Sequence, residues 1–494
     1  MGLTELKRFV TTKIQSRTRD FFMKRILTYY ICYIFSLSCI AQSKIEIINA
    51  DKISFNKKNN KHKQVLSGNV KTKHNNHFML CDSAYYYTNE NKIEAFSKIH
   101  IWQGDTLSLK GDYLLYLGNH ELAEIKKNVR FKHNEMNLTS EQLNYNFKLN
   151  RGFFDQKAII SEKNKSLKSN KGIYHTSIEK FDFYNEVVIK TEKETLSADT
   201  LYYWLENEYA LFQSNGSIEN NKINAKAQSG WVNQKEETAF INKNVQITDL
   251  ENNSILRADT CYLSNKMSHS ISYGNTLISI PLNEDTLYLT ADTLLQKKKH
   301  EGNLLVAFPR VNFKSINMVG FCDSLSYSTK EENLFLNIEP VIWLDQFQLT
   351  SDSIRIILNK EYIKMAFLNK SAFITSEVDS NSFNQISGEN MKAYFHKNEL
   401  SNIEVMGNGE SIYYVKDEKK NEALGVNKII CSNMNLIINR RQIENINFYK
   451  NPDATLYPLS QITKEKRLLK GFKWLNKSLV ENIILDKMNN HQIF

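Results

Sequence analysis

Ala198-Asp199-Thr200-Leu201-Tyr202-Tyr203 is the clearest copy of a pattern that recurs along most of this sequence. Its copies follow one another at intervals of about thirty residues, a period typical of stacked supersecondary units that bury their apolar faces on their neighbours. Such an array offers a long continuous surface, which favours a carrier or binding protein over an enzyme. The other anchor residues, aligned with Asp199, are Asp51, Asp82, Asp112, Glu141, Lys171, Gln228, Asp259, Asp292, Asp323, Asp352, Glu389 and Ser432.

Each unit reads as short strands separated by polar turns. In the copy at Asp199, residues 201–205, 209–212 and 218–227 are predicted as strands, and residues 214–217 as a polar break between the last two. An Asn-X-(Val/Ile) element, as in Lys127-Asn128-Val129, marks the middle of the unit. Aromatic and β-branched runs bounded by turn residues at this spacing argue for an all-β fold.

Side chains alternate across a strand, so the anchor and the residues two and four positions after it are predicted to share one face. These positions are mostly Leu, Ile and Tyr, and stacking the units would make apolar ladders along the interior. The ladders either fill a core or leave part of the interior open as an apolar trough for lipid. The candidate lipid-groove residues are Leu114, Tyr116, Leu143, Tyr145, Leu201, Tyr203, Leu294, Leu325, Tyr327, Ile354 and Ile356.

The sequence shows no catalytic, cofactor or metal motif. Anchor carboxylates occur once per unit rather than in the pairs that glycosidases need. We expect each anchor Asp to begin a strand and to bond local backbone amides. Cys81, Cys322 and Cys431 precede an anchor where other units carry Ala, Gly or Ser, so they are predicted to be small residues in a tight slot. The net charge of +10 is scattered, which does not indicate nucleic-acid binding.

The N-terminus is typical of an exported protein. A basic start at Met23 is followed by an apolar stretch too short to span a bilayer, and Ala41-Gln42 offers a small residue at a cleavage site. Translation from Met23 rather than Met1, an uncleaved anchor, and a lipoprotein at Cys39 all remain open. The sequence therefore predicts a signal peptide cleaved between Ala41 and Gln42.

The repeats resemble the OstA-like (organic-solvent-tolerance) family, which includes the periplasmic lipopolysaccharide-transport protein LptA and the N-terminal domain of the outer-membrane translocon LptD. Leu66-Ser67-Gly68-Asn69-Val70 is similar to the family's opening element, and the resemblance covers roughly residues 43–460. Residues 469–474 are similar to a tail motif of the long Bacteroidota-type members, although the usual Arg-Pro after that motif is missing.

This resemblance implies an elongated, repetitive antiparallel β-jelly-roll or folded sheet with an apolar groove. It also implies a non-enzymatic periplasmic carrier, associated with the outer membrane, that binds the acyl chains of lipopolysaccharide (lipid A). Its partners would be the outer-membrane translocon and inner-membrane export components, joined by edge-strand pairing, with a possible end-to-end homo-oligomer. The alternative is an exported structural or adhesive β-solenoid at the cell surface.

The chain is predicted to divide into four parts. Residues 1–41 are an N-terminal extension and signal peptide, 42–205 a first OstA-like β-jelly-roll module, 206–460 further OstA-like β repeats, and 461–494 a basic amphipathic tail. A stripe at helical spacing predicts a helix in the tail, which either caps the last open strand edge or contacts a partner or membrane surface. The stripe consists of Leu468, Phe472, Leu475, Leu479 and Ile483.

Overall fold

The computed structural model describes residues 43–55, 62–265, 268–282, 285–299, 302–359, 362–416 and 423–490. The predicted cleavage site at Ala41 and Gln42 lies outside them. Within them the chain is mostly antiparallel strand with one α-helix near the C-terminus, so the predicted fold class is confirmed. These residues form two compact units, 43–152 and 153–490, which are described separately. The module boundary predicted between residues 205 and 206 stays a prediction.

The first unit is a stack of long hairpins. β1 and β2 both pair with β3, and from β3 to β8 each strand pairs antiparallel with the next. A short strand, β9, then spans the division between the units. The strands are β1 (Glu46–Asn49), β2 (Lys52–Phe55), β3 (Lys63–His74), β4 (His77–Tyr87), β5 (Lys92–Gln103), β6 (Leu107–Leu117), β7 (Leu122–His133), β8 (Met136–Asn146) and β9 (Arg151–Phe154).

The second unit begins with the same kind of stack. β11 and β12 both pair with β13, and β13 to β18 pair consecutively. These strands are β10 (Ala158–Glu162), β11 (Lys165–Ser169), β12 (Lys171–His175), β13 (Lys180–Lys190), β14 (Thr195–Trp204), β15 (Tyr209–Glu219), β16 (Ile223–Asn233), β17 (Thr238–Asp249) and β18 (Ile255–Ser264).

Beyond β18 the ladder divides into two. One ladder runs β18, β19, β22, β23, β26, β27 and β30, and the other runs β18, β20, β21, β24, β25, β28 and β29. The strands are β19 (His269–Tyr273), β20 (Leu277–Pro281), β21 (Thr286–Thr290), β22 (Thr293–Lys299), β23 (Gly302–Phe308), β24 (Val311–Lys314), β25 (Met318–Cys322), β26 (Ser324–Ser328), β27 (Asn333–Asn337), β28 (Val341–Leu344), β29 (Phe347–Thr350) and β30 (Ser353–Asn359).

The two ladders rejoin on β31, because both β29 and β30 pair with it. Pairing then runs consecutively to β35, and β36 pairs with β34. The last elements are β31 (Tyr362–Asp379), β32 (Ser382–His396), β33 (Glu399–Lys416), β34 (Ala423–Asn439), β35 (Gln442–Tyr449), β36 (Asp453–Pro458) and the helix α1 (Lys477–Asn490).

Long strands bend sharply at a bulge near their middle. In β15, Ser214 and Asn215 have left-handed φ angles of 65° and 53°, and the register with β14 shifts there. The extra residue kinks the strand, as β-bulges do. Residues 214–217, predicted as a break between strands, are therefore this bend inside one continuous strand.

The bends fold the sheet onto itself. Lys193 lies in the turn after β13 and Glu237 in the turn before β17, so they stand on opposite edges of the hairpin stack. A flat strand of 11 residues would separate those edges by about 35 Å. Lys193 Nζ instead lies 2.5 Å from Glu237 Oε1. The edges therefore meet along a line, here called the seam, and one face of the sheet becomes interior.

The anchor Asp holds the bend of the neighbouring strand. Asn215 Nδ2 donates to Asp199 Oδ2 at 2.6 Å, sixteen residues away in sequence. Asn128 and Asn275 donate in the same way to Asp112 and Asp259, at 2.5 and 2.9 Å. The repeat is therefore one hairpin. This side-chain bond joins an anchor strand to the bulge of the next strand or, for Asn275, to the break between β19 and β20.

Three expectations about the anchor are wrong, namely its place in the strand, its bonding partner and the face that it shares. Asp199 lies in the middle of β14, not at its start, and its carboxylate bonds a side chain rather than local backbone amides. It is also exposed, whereas Leu201 and Tyr203 are buried. The bulge adds one residue on the neighbouring strand and interrupts the alternation at this point, so the anchor faces outward while the residues after it face inward.

Replacing Gly274 by Ala should destabilise the second unit more than replacing Gly471. Both glycines have left-handed φ angles, 68° and 91°, which cost an L-residue about 1–2 kcal/mol. A Cβ on Gly274 would also lie 2.5 Å from Asp259 Oδ2, whereas nothing lies within 4 Å at Gly471. Thermal unfolding of the two variants measures the difference. Equal losses would show that the anchor does not crowd the bend.

Candidate functional site

The interior face of the first unit carries two continuous rows of buried side chains. Both predicted ladder positions fall in these rows, since Leu114 and Leu143 share one and Tyr116 and Tyr145 the other. Every member is at most 6% exposed. The first row is Leu66, Ala84, Ala95, Leu114, Ile125 and Leu143, and the second is Tyr86, Ile93, Tyr116, Ala123 and Tyr145.

The second unit carries a longer row of directly paired residues. All of them are buried, and Ser272 is the polar member. The row is Phe183, Leu201, Phe212, Gly230, Ile241, Cys261, Ser272, Leu294, Ala307, Leu325, Leu336, Ile354, Leu368, Met391, Val405 and Met434.

The candidate groove residues are therefore assembled on the interior faces. Tyr203 and Ile356 are buried two residues after Leu201 and Ile354 on the same strands, and Tyr327 is half-buried. With so little exposure, the rows are packed as a core in this form, not displayed along an open trough. A lipid would reach them only if the folded sheet opened. Their contact with lipid stays a prediction.

A cavity of about 260 Å³ lies at the seam of the second unit. Its apolar lining comes from both strand edges, with Ile218 and Ile223 on one edge and Val232, Ala239 and Leu263 on the other. Polar turn residues surround these side chains, including residues 191–194. The cavity thus joins the outside to the start of the interior face.

Polar contacts close the seam beside this cavity. Lys165 Nζ lies 2.9 Å from Glu208 Oε1 and 3.1 Å from the Tyr203 hydroxyl. Gln234 Nε2 donates to Glu194 Oε1 at 3.2 Å. Burial raises the pKa of Tyr203, which keeps the phenol protonated. With the Lys193–Glu237 pair, these contacts join opposite strand edges through side chains alone.

The first unit closes its seam with aromatic rings instead. His74 Nδ1 and His77 Nε2 each lie 2.6 Å from the Tyr116 hydroxyl, which can donate to one ring and accept from the other. The His77 ring stacks on Phe147 with centroids 4.1 Å apart. Ser43 Oγ lies 2.8 Å from His74 Nε2. Both histidines are 3% exposed.

Comparison with known proteins identifies the first part of the repeat array. Residues 42–199 match the family model described as OstA-like protein. These residues are an OstA-like domain. The resemblance seen in the sequence is confirmed there, and assignment to the Bacteroidota type stays a prediction.

Other comparisons add little to the OstA-like assignment. The solved structure of LptH from Pseudomonas aeruginosa, described as the LptA-homologous periplasmic component of a lipopolysaccharide transport device, is 12% identical over 23% of this chain and 82% of that chain. Its TM-score is 0.21, which is too low to support any statement about fold. None of the curated proteins matches this sequence significantly.

In the described part of the chain, no group of three His, Cys, Asp or Glu side chains is placed to hold a metal ion. The cysteines described, Cys81, Cys261, Cys322 and Cys431, are free and buried. Burial raises the pKa of the Cys81 and Cys322 thiols to about 12. The described helix lacks the length and apolar character that crossing a membrane requires.

The C-terminal tail differs from its predicted form. Residues 468–475 are not helical, and α1 begins at Lys477. Leu479 and Ile483 are 62% and 42% exposed, whereas Val480 and Ile484 are buried against β25 and β28. The predicted helical stripe is wrong, because its phase depended on residues outside the helix. The helix also packs on β24 and β25 rather than capping the last strand, β36.

Two buried glutamines that the sequence analysis missed hold the segment before α1. Gln385 Nε2 donates to Arg467 O, and its Oε1 accepts from Leu469 N, both at 2.8 Å. Gln348 bonds Lys473 O and Leu475 N in the same way, at 2.7 and 2.9 Å. Residues 461–476, here called the strap, therefore receive ladder-like backbone bonds from side chains.

The strap covers a second apolar face. Along β31, Phe373 and Thr375 alternate with Ala372, Ile374 and Ser376, and both sets are buried. Phe373 belongs to a cluster with Ile412, Tyr414 and Val426 on which Ile462 and Leu469 of the strap pack. The signal available in the sequence was a Gln beside apolar residues in a strand, as in Phe347-Gln348-Leu349.

Replacing Gln385 by Leu should loosen the strap. The Leu469 N–H and Arg467 carbonyl would lose their partner, and a buried polar group left unsatisfied costs about 1–3 kcal/mol. Hydrogen exchange of residues 461–476 should rise. Gln461 is exposed, so Gln461→Leu is the matched control and should leave exchange unchanged. Equal protection of residues 461–476 in both variants would show that Gln385 does not hold the strap.

Acid should weaken the first unit through His77. Burial, with a smaller contribution from His74, lowers the pKa of His77 from 6.5 to about 3. Stability from the neutral ring is full above pH 6.5. Below pH 6.5 the ring is protonated in the unfolded chain but stays neutral in the folded protein. The free energy of unfolding therefore falls by about 1.4 kcal/mol per pH unit towards pH 3.

Hydrogen exchange of residues 43–152 between pH 7 and 4, corrected for intrinsic rates, measures this loss. His77→Gln should flatten the pH dependence, although it lowers stability at pH 7. His120, an exposed residue of the same unit, supplies the control variant His120→Gln, which should keep the dependence. An unchanged slope in His77→Gln would rule out His77 as its source.

Proposed function

We propose that the chain is a non-enzymatic carrier of lipopolysaccharide that binds acyl chains on the interior face of its folded sheet. The observation that carries this proposal is the continuous row of buried residues in the second unit, which is apolar except at Ser272. Each residue of the row contacts its neighbour on the next strand, so an acyl chain displaced from one position meets another apolar position beside it. The OstA-like domain at residues 42–199 supports the same function.

The energetics favour a continuous face over one tight site. Burial of an acyl chain contributes about 0.8 kcal/mol per methylene, or roughly 10 kcal/mol for a chain of a dozen carbons. Exposing such a chain to water at each step would impose a barrier of that size. A row that repeats every strand lowers the barrier, since contacts form on one side as they break on the other.

Edge strands support pairing with export components in the periplasm. β1 and β2 pair only with β3 among the described residues, and Ile48, Ile53 and Phe55 beside this edge are 48–60% exposed. Open edges recruit further strands. We propose that partners at the inner and outer membranes, or a second copy of this chain, add strands there, which would place the protein in the periplasm.

Photo-crosslinking tests the proposed function. A photoreactive amino acid in place of Leu201 or Leu325, both on the interior row, should capture lipopolysaccharide in cells. Gln213 is exposed on β15 and pairs with Thr200, the neighbour of Leu201, so the same substitution there is the control. Capture at Gln213 without capture at either interior position would refute an interior binding face.

A further inference from the structure

In the second unit the two edges of the folded sheet are joined across the seam by side-chain contacts. The sheet elsewhere is held by backbone ladders, whereas the contacts described between the turns at 191–194 and 234–237 are between side chains. Lys193 and Glu237 are 81% and 38% exposed, and ion pairs so exposed contribute little to stability. Separating these turns therefore breaks few bonds and leaves every strand pairing intact.

The cavity lies directly behind these contacts. Lys193, Glu194, Gln234 and Glu237, which make two of the contacts, also line it. Val232 and Ala239, part of its apolar lining, pair with one another and continue to Ala210 and Tyr203, next to the interior row. Opening the seam thus connects solvent to the interior face by a short apolar path.

We propose that this seam is a side entrance through which single acyl chains reach the interior row. The proposal rests on the proposed carrier function and adds where the lipid enters. The cavity is the first place that an acyl chain occupies once the turns separate.

The charges on the rim select which part of the lipid enters. The rim carries Glu192, Glu194, Glu208 and Glu237 against Lys165 and Lys193. This excess of carboxylates repels a phosphorylated headgroup, while the apolar lining accepts hydrocarbon. The headgroup therefore stays outside the seam as the chain passes.

A reversible lock across the seam tests the entrance. Lys193→Cys with Glu237→Cys, bridged by a bifunctional methanethiosulfonate, ties the two edges together until a reductant releases them. The control, Glu237→Cys with Asn265→Cys, removes the same carboxylate but bridges neighbouring turns on one edge, where Asn265 N donates to Glu237 O at 3.0 Å. The parent chain treated with the reagent accounts for modification of its own cysteines.

Capture of purified lipopolysaccharide by a photoreactive residue at position 201 is the readout. Each rate is compared with that of the same double variant before cross-linking. The lock across the seam should reduce the initial rate of capture at least tenfold, reductant should restore it, and the control lock should leave it unchanged. Equal capture by locked and released protein would show that lipid enters elsewhere, and the carrier function would stand. No capture by the unlocked parent would reject the carrier function, and the side entrance with it.

A second variant checks the entrance without a cross-linker. Lys193→Glu places a carboxylate opposite Glu237, which should open the seam and raise the initial capture rate severalfold at low salt. Lys193→Gln removes the attraction without adding repulsion and should give a smaller increase. Rates equal to the parent in both variants would mean that this contact does not control entrance.

Discussion

The left-handed bulge in the middle of the strands is the constraint on which the rest of the structure depends. It adds one residue, turns the strand direction, and does so at corresponding positions of successive hairpins, so the bends align across the sheet. Without it the strand edges would stand about 35 Å apart and both faces would meet water. With it, one face becomes an interior and the edges meet at a seam.

The features that depend on alternation along one strand could be predicted from the sequence. The contacts that depend on the register between strands could not. The period, the all-β class and the inward positions of Leu201 and Tyr203 follow from residue spacing along one strand. The bond between Asp199 and Asn215 depends on which residues face each other across the bulge, and Ser214-Asn215-Gly216 is equally typical of a turn. The constant offset of sixteen residues between anchor and asparagine, in Asp112–Asn128 and Asp259–Asn275, was the signal available.

The tail was mispredicted for a related reason. Helical spacing in residues 468–483 suggested one continuous stripe, but Gln348 and Gln385 hold residues 468–475 in a form that is not α-helical. Tertiary bonds outweigh local propensity wherever a backbone can find buried partners. Side-chain amides that supply such partners cannot be recognised from periodicity, since two whole strands, β30 and β31, separate Gln348 from Gln385 in the sequence.

The strap also bears on whether the basic tail contacts a membrane surface, an option that its sequence left open. Ile462 and Leu469 pack on the Phe373 cluster, and Val480 and Ile484 pack on a separate cluster of β25 and β28. Releasing the tail would therefore expose both clusters as well as the strap itself. The cost of that exposure opposes insertion of the whole tail into lipid. Leu479, Ile483 and Leu485, which α1 already presents to solvent, can contact a surface without it, as can the exposed Leu468 and Trp474 of the strap. In this form the buried residues of the tail cover the sheet, and any contact with a surface falls to these exposed side chains.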